Sequence, residues 1–212
     1  MSKFYFSILA MLITFTAFAQ THLYQHEDFD QITADHKTIA ILPFDATIKL
    51  RPKQMKELSQ DQLTSMEQKE GENIQEAMYS WFLKRKKRGS LQVDVQPPRT
   101  TNSILLKNNL DIYDLSSQSP TDIAAMLGVD AVVMGNLETN KPMSEGAAVV
   151  TTLLIGFGNT NNAIVNMEIY NATDGVLLWN YNKKVRGGLG SGPDDLINTL
   201  MRKASRRLGY TD

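Results

Sequence analysis

Residues 119–137 have the sequence SPTDIAAMLGVDAVVMGNL, and this stretch decides the fold class. Pro120 is typical of the first turn of a helix, and the apolar spacing that follows it predicts a short helix with one buried side. Gly128 is the predicted cap of that helix, and the apolar run at residues 130–137 then predicts a buried strand. A helix, a glycine and a buried strand in succession form half of an α/β unit.

A second strand and a long helix are predicted upstream of this unit. Residues 38–44, TIAILPF, form a near-continuous apolar run, as in strands that are covered on both faces, and Pro43 should end the pairing. From about Asp61 the apolar residues follow a helical period. They form one stripe made of Ile74, Ala77, Met78, Trp81 and Phe82. The cations at residues 84–88 and then Gly89 are typical of a helix end.

A hairpin and a final helix follow toward the C-terminus. Apolar and polar residues alternate at residues 165–170 and again at 177–182, and the turn sequence NATDG lies between them. The last helix is predicted after the glycine-rich residues 187–192.

Two shorter elements complete the pattern, namely a strand at residues 91–95 and a helix at residues 101–110. We find no internal repeat and no long linker. The sequence therefore predicts an α+β fold, in which a mixed β-sheet of about four to five strands is flanked by helices. We expect residues 38–212 to form this single domain.

The start of the chain has the pattern of an export signal. Lys3 precedes an uncharged apolar run at residues 4–18, and small residues stand at the positions that signal peptidase requires before Gln20. The run is shorter than the roughly 20 residues that a membrane-spanning helix needs. We predict that residues 1–19 are a signal peptide and that residues 20–37, which are polar and aperiodic, are a flexible N-terminal segment.

The composition of the 212-residue chain excludes several classes of function. Lys and Arg number 22 against 23 Asp and Glu, so the net charge of −1 gives no overall basic excess for binding nucleic acid. The chain has no cysteine, which excludes disulfides, thiolate nucleophiles and cysteine-ligated zinc.

The order of the elements resembles a family of bacterial envelope proteins. The resemblance rests on residues 39–44, IAILPF, and on residues 122–135, DIAAMLGVDAVVMG, with the hairpin and the final helix after them. The family includes the curli secretion channel, the lipoprotein activators of penicillin-binding proteins and uncharacterised surface lipoproteins. The resemblance covers residues 38–208 and implies a small α/β domain, similar to the periplasmic domain of curli-channel-like proteins, that serves assembly and protein contact. This chain lacks the lipidated cysteine.

No pattern in the sequence predicts an active site, and we predict that the protein is not an enzyme. His22 and His26 are four residues apart, which would juxtapose two imidazoles for a metal on a helix, but no apolar stripe fixes a helix there. The glycine-rich residues 187–192 suit an anion site or a flexible connection, and Asp194 and Asp195 would repel an anion. We predict no metal and no cofactor.

The most informative stretch for function is an apolar insertion near residues 143–160. The chain carries no charge between Glu145 and Glu168, and almost all side chains of residues 147–157 are apolar. We predict that this insertion is a buried flap or a subunit contact, with shallow membrane contact as the alternative. The predicted interaction residues are Ala147, Val149, Val150, Leu153, Leu154, Ile155 and Phe157.

These patterns together predict a non-enzymatic protein exported to the cell envelope, either periplasmic or outer-membrane-associated. We expect it to dock onto other envelope proteins or onto itself, through the insertion or through the exposed side of its sheet. The alternative is an oligomeric component of an outer-membrane-associated secretion or transport assembly. The basic residues 84–88 are either a solvated helix end or a peripheral contact for anionic lipid or cell-wall polymer. We predict no nucleic-acid partner and no transmembrane helix in the mature chain.

Overall fold

Seven strands and six helices make up the part of the chain that the structure, a computed structural model, describes, namely residues 21–50, 52–56, 58–140, 162–186 and 193–211. The strands are β1 (Thr21–Gln25), β2 (Thr38–Ile41), β3 (Asp45–Ile48), β4 (Asp94–Gln96), β5 (Ala131–Thr139), β6 (Asn162–Asn171) and β7 (Leu177–Arg186). The helices are α1 (Phe29–Ile32), α2 (Pro52–Met55), α3 (Gln60–Lys87), α4 (Pro98–Lys107), α5 (Pro120–Leu127) and α6 (Pro193–Ala204). All seven strands belong to one mixed sheet, so the predicted α+β fold is confirmed, with more strands than predicted.

Strand β5 organises the sheet because it pairs with three other strands. β2 and β3 lie parallel to it on one side, and β6 lies antiparallel on the other. β7 and then β1 extend the antiparallel half, while β4 pairs with β2 at the opposite edge. The run at residues 38–44, predicted to be one strand, is followed by a second short strand along β5, and the break falls at Pro43, which has no N–H to donate.

The sheet separates two apolar cores. α3 and α6 pack on one face, where Ile74 and Met78 of α3 and Leu200 of α6 are buried. α4 and α5 lie on the other face, over β2, β5 and β6, and bury Leu105 and Ile123. The part of this second face that is formed by β7 and β1 therefore carries little cover from the described helices.

Local signals set both ends of α3. The hydroxyl of Ser59 accepts from the N–H of Gln62 at 3.2 Å, and the side chain of Gln62 accepts from the N–H of Ser59 at 2.9 Å, which forms a capping box. After the last turn Gly89 has φ of 72°, a conformation that costs glycine little. The predicted long helix is confirmed.

The N-terminal segment differs from its prediction. Residues 20–37 were expected to be loose, but β1 pairs antiparallel with β7 and is followed by α1. Phe29 is only 2% exposed, and its ring lies edge-on to Tyr210 with the centroids 5.1 Å apart. A polar segment without an apolar period is thus fixed by one aromatic anchor and one strand pairing. The predicted signal peptide, residues 1–19, lies outside the described residues. None of the described helices has the length and apolarity to cross a membrane.

Candidate docking surface

A polar surface covers the side of β6 and β7 that faces away from α3 and α6. Along β6 every second side chain is buried, and the side chains between them are half-buried. Cross-strand register places Asn182 opposite Asn166 and Asn180 opposite Glu168. We call these four residues together with Tyr170 the open face.

Hydrogen bonds fix the polar groups of the open face. The Asn180 amide donates to Asn166 Oδ1 at 2.9 Å and to Glu168 Oε1 at 3.2 Å. The Tyr170 hydroxyl donates to Glu168 Oε2 at 3.0 Å. Burial, followed by the charge and hydrogen bond of Glu168, raises the pKa of Tyr170 to about 12, so the hydroxyl stays protonated at neutral pH. This arrangement offers fixed donors and acceptors to a partner, as polar interfaces require.

Strand β1 borders the open face and forms one edge of the sheet. Its sequence, THLYQ, contains no Asp, Glu, Lys, Arg or Pro. Leu23 and Tyr24 are 50% and 47% exposed and point to opposite faces, with Tyr24 opposite Asn180. Among the described strands β1 pairs with β7 alone, so its outer edge is unpaired there. Natural sheets usually protect such an edge with Lys, Pro or a bulge.

A cleft of about 390 Å³ lies where the open face meets the segment between α4 and α5. Met134, Glu168 and Tyr170 form its floor, and Tyr113 forms part of its wall. The described residues that line it include Ser116 and the carboxylates of Asp45 and Glu168, but no histidine or lysine. Its volume is that of a small binding site.

The wall of the cleft is held by a contact with α3. The hydroxyl of Tyr113 donates to Glu72 Oε1 at 2.7 Å. This hydrogen bond, with burial and the charge of Glu72, raises the pKa of Tyr113 to about 12. The side chain thus ties the segment between α4 and α5 to α3.

The histidines do not converge on a metal site. His22 lies within β1, and Nδ1 of His26 accepts from the N–H of Asp28 at 3.1 Å, so the two are not stacked on a helical turn. Nδ1 of His36 lies 2.7 Å from the hydroxyl of Tyr210. Within the described residues no group of three His, Cys, Asp or Glu side chains is placed to hold a metal ion.

The interaction residues predicted from the sequence belong to the apolar insertion. Ala147, Val149, Val150, Leu153, Leu154, Ile155 and Phe157 all lie outside the described residues. The glycine-rich residues 187–192 also lie outside them. The chain that leads to the insertion leaves from the end of β5, and the chain that returns enters β6, so both connections are at one end of the open face.

The sequence predicts the open face but not the edge strand β1. The alternation of apolar and polar residues in β6 and β7 predicts that one side of this hairpin is polar, and the open face lies on that side. Strand β1 gives no such signal, because four of its five residues are exposed and no buried period can appear in them. Its Tyr and Thr fit a strand, but five residues are too few to reveal it.

Comparison with known proteins shows the fold. No family model matches the chain, and no curated protein matches it. A solved structure of the PelC dodecamer from Paraburkholderia phytofirmans is similar, with 10% identity and a TM-score of 0.52, and the match covers 92% of this chain and 99% of that one. Lipoprotein GNA1162 from Neisseria meningitidis matches with 12% identity and a TM-score of 0.46 over 81% of this chain and 97% of its own. The C-terminal domain of LpoB from Salmonella enterica matches with 10% identity and a TM-score of 0.34 over 74% of this chain and 91% of its own.

At these identities the likeness to the PelC subunit shows a shared fold and nothing finer. The predicted resemblance is confirmed at that level, since a bacterial protein with this α+β arrangement matches almost the whole chain. The likeness to the curli secretion channel stays a prediction.

Proposed function

We propose that this chain is a non-enzymatic protein of the bacterial envelope that acts by docking, and that its partner at the sheet edge is a second copy of the same chain. The observation that carries the proposal is β1, an edge strand with no Asp, Glu, Lys, Arg or Pro and with two large exposed side chains. An unpaired strand edge supplies a row of backbone donors and acceptors that another strand can complete.

The residues around β1 favour a strand from a second copy. Tyr24 supplies exposed aromatic area, and Asn180 and Asn182 beside it are uncharged, so two such surfaces meet without repulsion. If β1 pairs with β1 of another copy, the contact is self-complementary and closes as a dimer. The fold is compatible with larger assemblies, because the PelC subunit that shares it occurs in a dodecamer.

An assembly larger than a dimer needs a second surface, for which we propose the apolar residues 146–158. The composition of this insertion supports the proposal, because a stretch without charge is favourable only where it leaves water. Such an assembly is the alternative function, an oligomeric component of an outer-membrane-associated secretion or transport system.

The edge contact is tested by the mass of the particle in solution. We expect the chain from Gln20 onward to sediment as a dimer or larger species, and Leu23→Lys and Tyr24→Lys to shift it toward the monomer, since a lysine on an edge strand opposes pairing. Leu106→Lys is the matched control, because Leu106 is 56% exposed on α4 and lies away from β1. A wild-type chain that remains monomeric, or edge variants that assemble like the control, would contradict the proposal.

The insertion is tested separately in the envelope. We expect replacement of residues 146–158 by a short Gly-Ser linker to remove crosslinked species larger than a dimer while β1-dependent dimers persist. An unchanged crosslinking pattern would show that the insertion is not a docking surface.

Export is tested at the N-terminus. We propose that residues 1–19 are removed during secretion, so the protein recovered from the envelope fraction should begin at Gln20. A recovered chain that still begins at Met1 would contradict this.

A further inference from the structure

The C-terminal ends of α3 and α6 lie side by side. Nε1 of Trp81 donates to Oδ1 of Asn198 at 3.4 Å, and Nε of Arg85 donates to Oγ of Ser205 at 3.3 Å. The contacting residues advance in the same order along both helices, so the two helices end at the same end of the domain.

Cations are concentrated at this end. The basic patch consists of Lys84, Arg85, Lys86, Lys87, Arg88, Arg202, Lys203, Arg206 and Arg207. All of them are exposed except Arg85, which is half-buried. Nine of the 22 Lys and Arg residues belong to the patch. The rest of the chain contains the other 13 Lys and Arg and all 23 Asp and Glu, although the net charge of the whole chain is −1. The net charge is therefore close to zero, but the positive charge is concentrated on one part of the surface.

The described residues of the domain neutralise little of this charge. Among the described residues, one cation of the patch forms an ion pair with a carboxylate: Lys86 Nζ lies 2.9 Å from Asp94 Oδ1. Burial, and then the neighbouring charges of Arg88 and Arg206, lower the pKa of Arg85, so these cations repel one another. The field of a helix end favours cations only within the last turn, whereas Arg206 and Arg207 lie beyond the end of α6.

We propose that the basic patch docks the protein onto a bilayer surface rich in anionic phospholipid. Phosphate headgroups would neutralise the crowded cations, and each Lys or Arg near such a surface adds to the attraction. Trp81 lies at the border of the patch with Nζ of Lys84 only 4.2 Å from its ring centroid. Tryptophan beside lysine is the side-chain combination that suits the headgroup region.

The shape of the patch favours a bilayer over a chain-like polyanion. The cleft described above is lined by none of the patch residues, and it lies on the opposite face of the sheet. The patch lies at two adjacent helix ends and not along that cleft. This surface is separate from β1, so membrane docking and self-assembly can fail independently.

The test compares vesicle binding of two variants with the same change in net charge. The chain from Gln20 onward is mixed with vesicles of phosphatidylcholine alone or with about 30% phosphatidylglycerol, at low salt and at about 0.5 M salt, where surface charges are screened. The patch variant is K84Q/R202Q/R206Q, and the matched control is K56Q/R99Q/K107Q, which removes three exposed cations elsewhere. Circular dichroism checks that both variants are folded.

We expect the wild-type chain and the control to bind only the anionic vesicles, and high salt to release them. The patch variant should bind roughly a hundredfold more weakly, at about fivefold for each cation removed. The chain has two tryptophans, and Trp179 is fully buried, so a blue shift of the emission on binding reports on Trp81. Equal loss in the control, salt-independent binding, or tighter binding to dextran sulfate than to the vesicles would overturn the proposal.

Discussion

The backbone of Phe44 lies directly against Gly71 of α3. The N–H of Phe44 donates to the carbonyl oxygen of Gly71 at 3.3 Å, and the carbonyl oxygen of Phe44 occupies the place where a Cβ atom at residue 71 would be. The long helix can therefore meet the chain between β2 and β3 at backbone distance only because residue 71 has no side chain. This contact holds α3 against the parallel half of the sheet.

Gly71→Ala should destabilise the protein even though alanine is the better helix former. The alanine gains about 1 kcal/mol in helix propensity, but the clash is with backbone atoms that cannot rotate away, so we expect a net loss of about 2 kcal/mol in the free energy of unfolding. Urea unfolding measures the change. Ser80→Ala, on the exposed side of α3, is the control and should change it by less than about 0.5 kcal/mol. A Gly71→Ala variant more stable than wild type would show that α3 does not approach so closely.

Phe29→Ala should show that the N-terminal segment belongs to the folded domain. Phe29 packs against Tyr210 and against Gly209, where a Cβ atom would meet the Phe29 ring. Removal of a fully buried phenylalanine costs about 3–5 kcal/mol. Urea unfolding should show that loss, with Leu106→Ala, at an exposed position, as a near-neutral control. A loss below about 1 kcal/mol would instead support a loose segment.

The elements that the sequence predicts well are those whose side chains are buried periodically. β5 and the β6–β7 hairpin have clear apolar patterns, and α5 has both a proline at its start and a glycine after its end. These features are local, so they can be read without knowledge of the partner elements.

The elements that the sequence misses depend on distant partners. β3 follows Pro43 so closely that it merges with the run of β2, and only its pairing with β5 separates the two. β1 is held by β7, more than 150 residues further along the chain, and has almost no buried side. The basic patch is similar, because residues 84–88 and 202–207 meet only when α3 and α6 pack together.

Asp130 links the starts of β2 and β5 and should stabilise the fold above acidic pH. Its Oδ2 accepts from the N–H groups of Lys37 at 2.7 Å and Thr38 at 2.8 Å. Burial raises the pKa of Asp130. The two hydrogen bonds and the nearby His36 and Lys37 lower it by more, so the net pKa lies below the ordinary 3.8. The stabilisation is therefore present above pH 3.8 and is lost as the pH falls through the lower, folded-state pKa.

Asp130→Asn should cost about 1–2 kcal/mol at neutral pH, because a charged acceptor of two N–H groups becomes neutral. The difference from wild type should shrink as guanidinium unfolding is repeated from pH 7 down to about pH 3. Asp114→Asn, at an exposed position, should behave like wild type throughout. A difference that stays constant with pH would mean that the charge of Asp130 does not contribute.

His36 should make the protein less stable when it is protonated. Its ring is half-buried, with Nδ1 2.7 Å from the Tyr210 hydroxyl. Burial lowers the pKa of His36 below 6.5 despite the opposing effects of Asp130, Asn171 and Asp35. The unfolded chain therefore takes up this proton first, and stability falls as the pH drops from about 6.5 through the folded-state pKa. Unfolding free energies measured from pH 8 to pH 5 should show this loss in wild type and in His22→Gln, whose ring lies on exposed β1, but not in His36→Gln. If His36→Gln keeps the full pH dependence, another group must bind the proton. The packing of His36 against Tyr210 would then contribute equally to the free energy of unfolding at every pH.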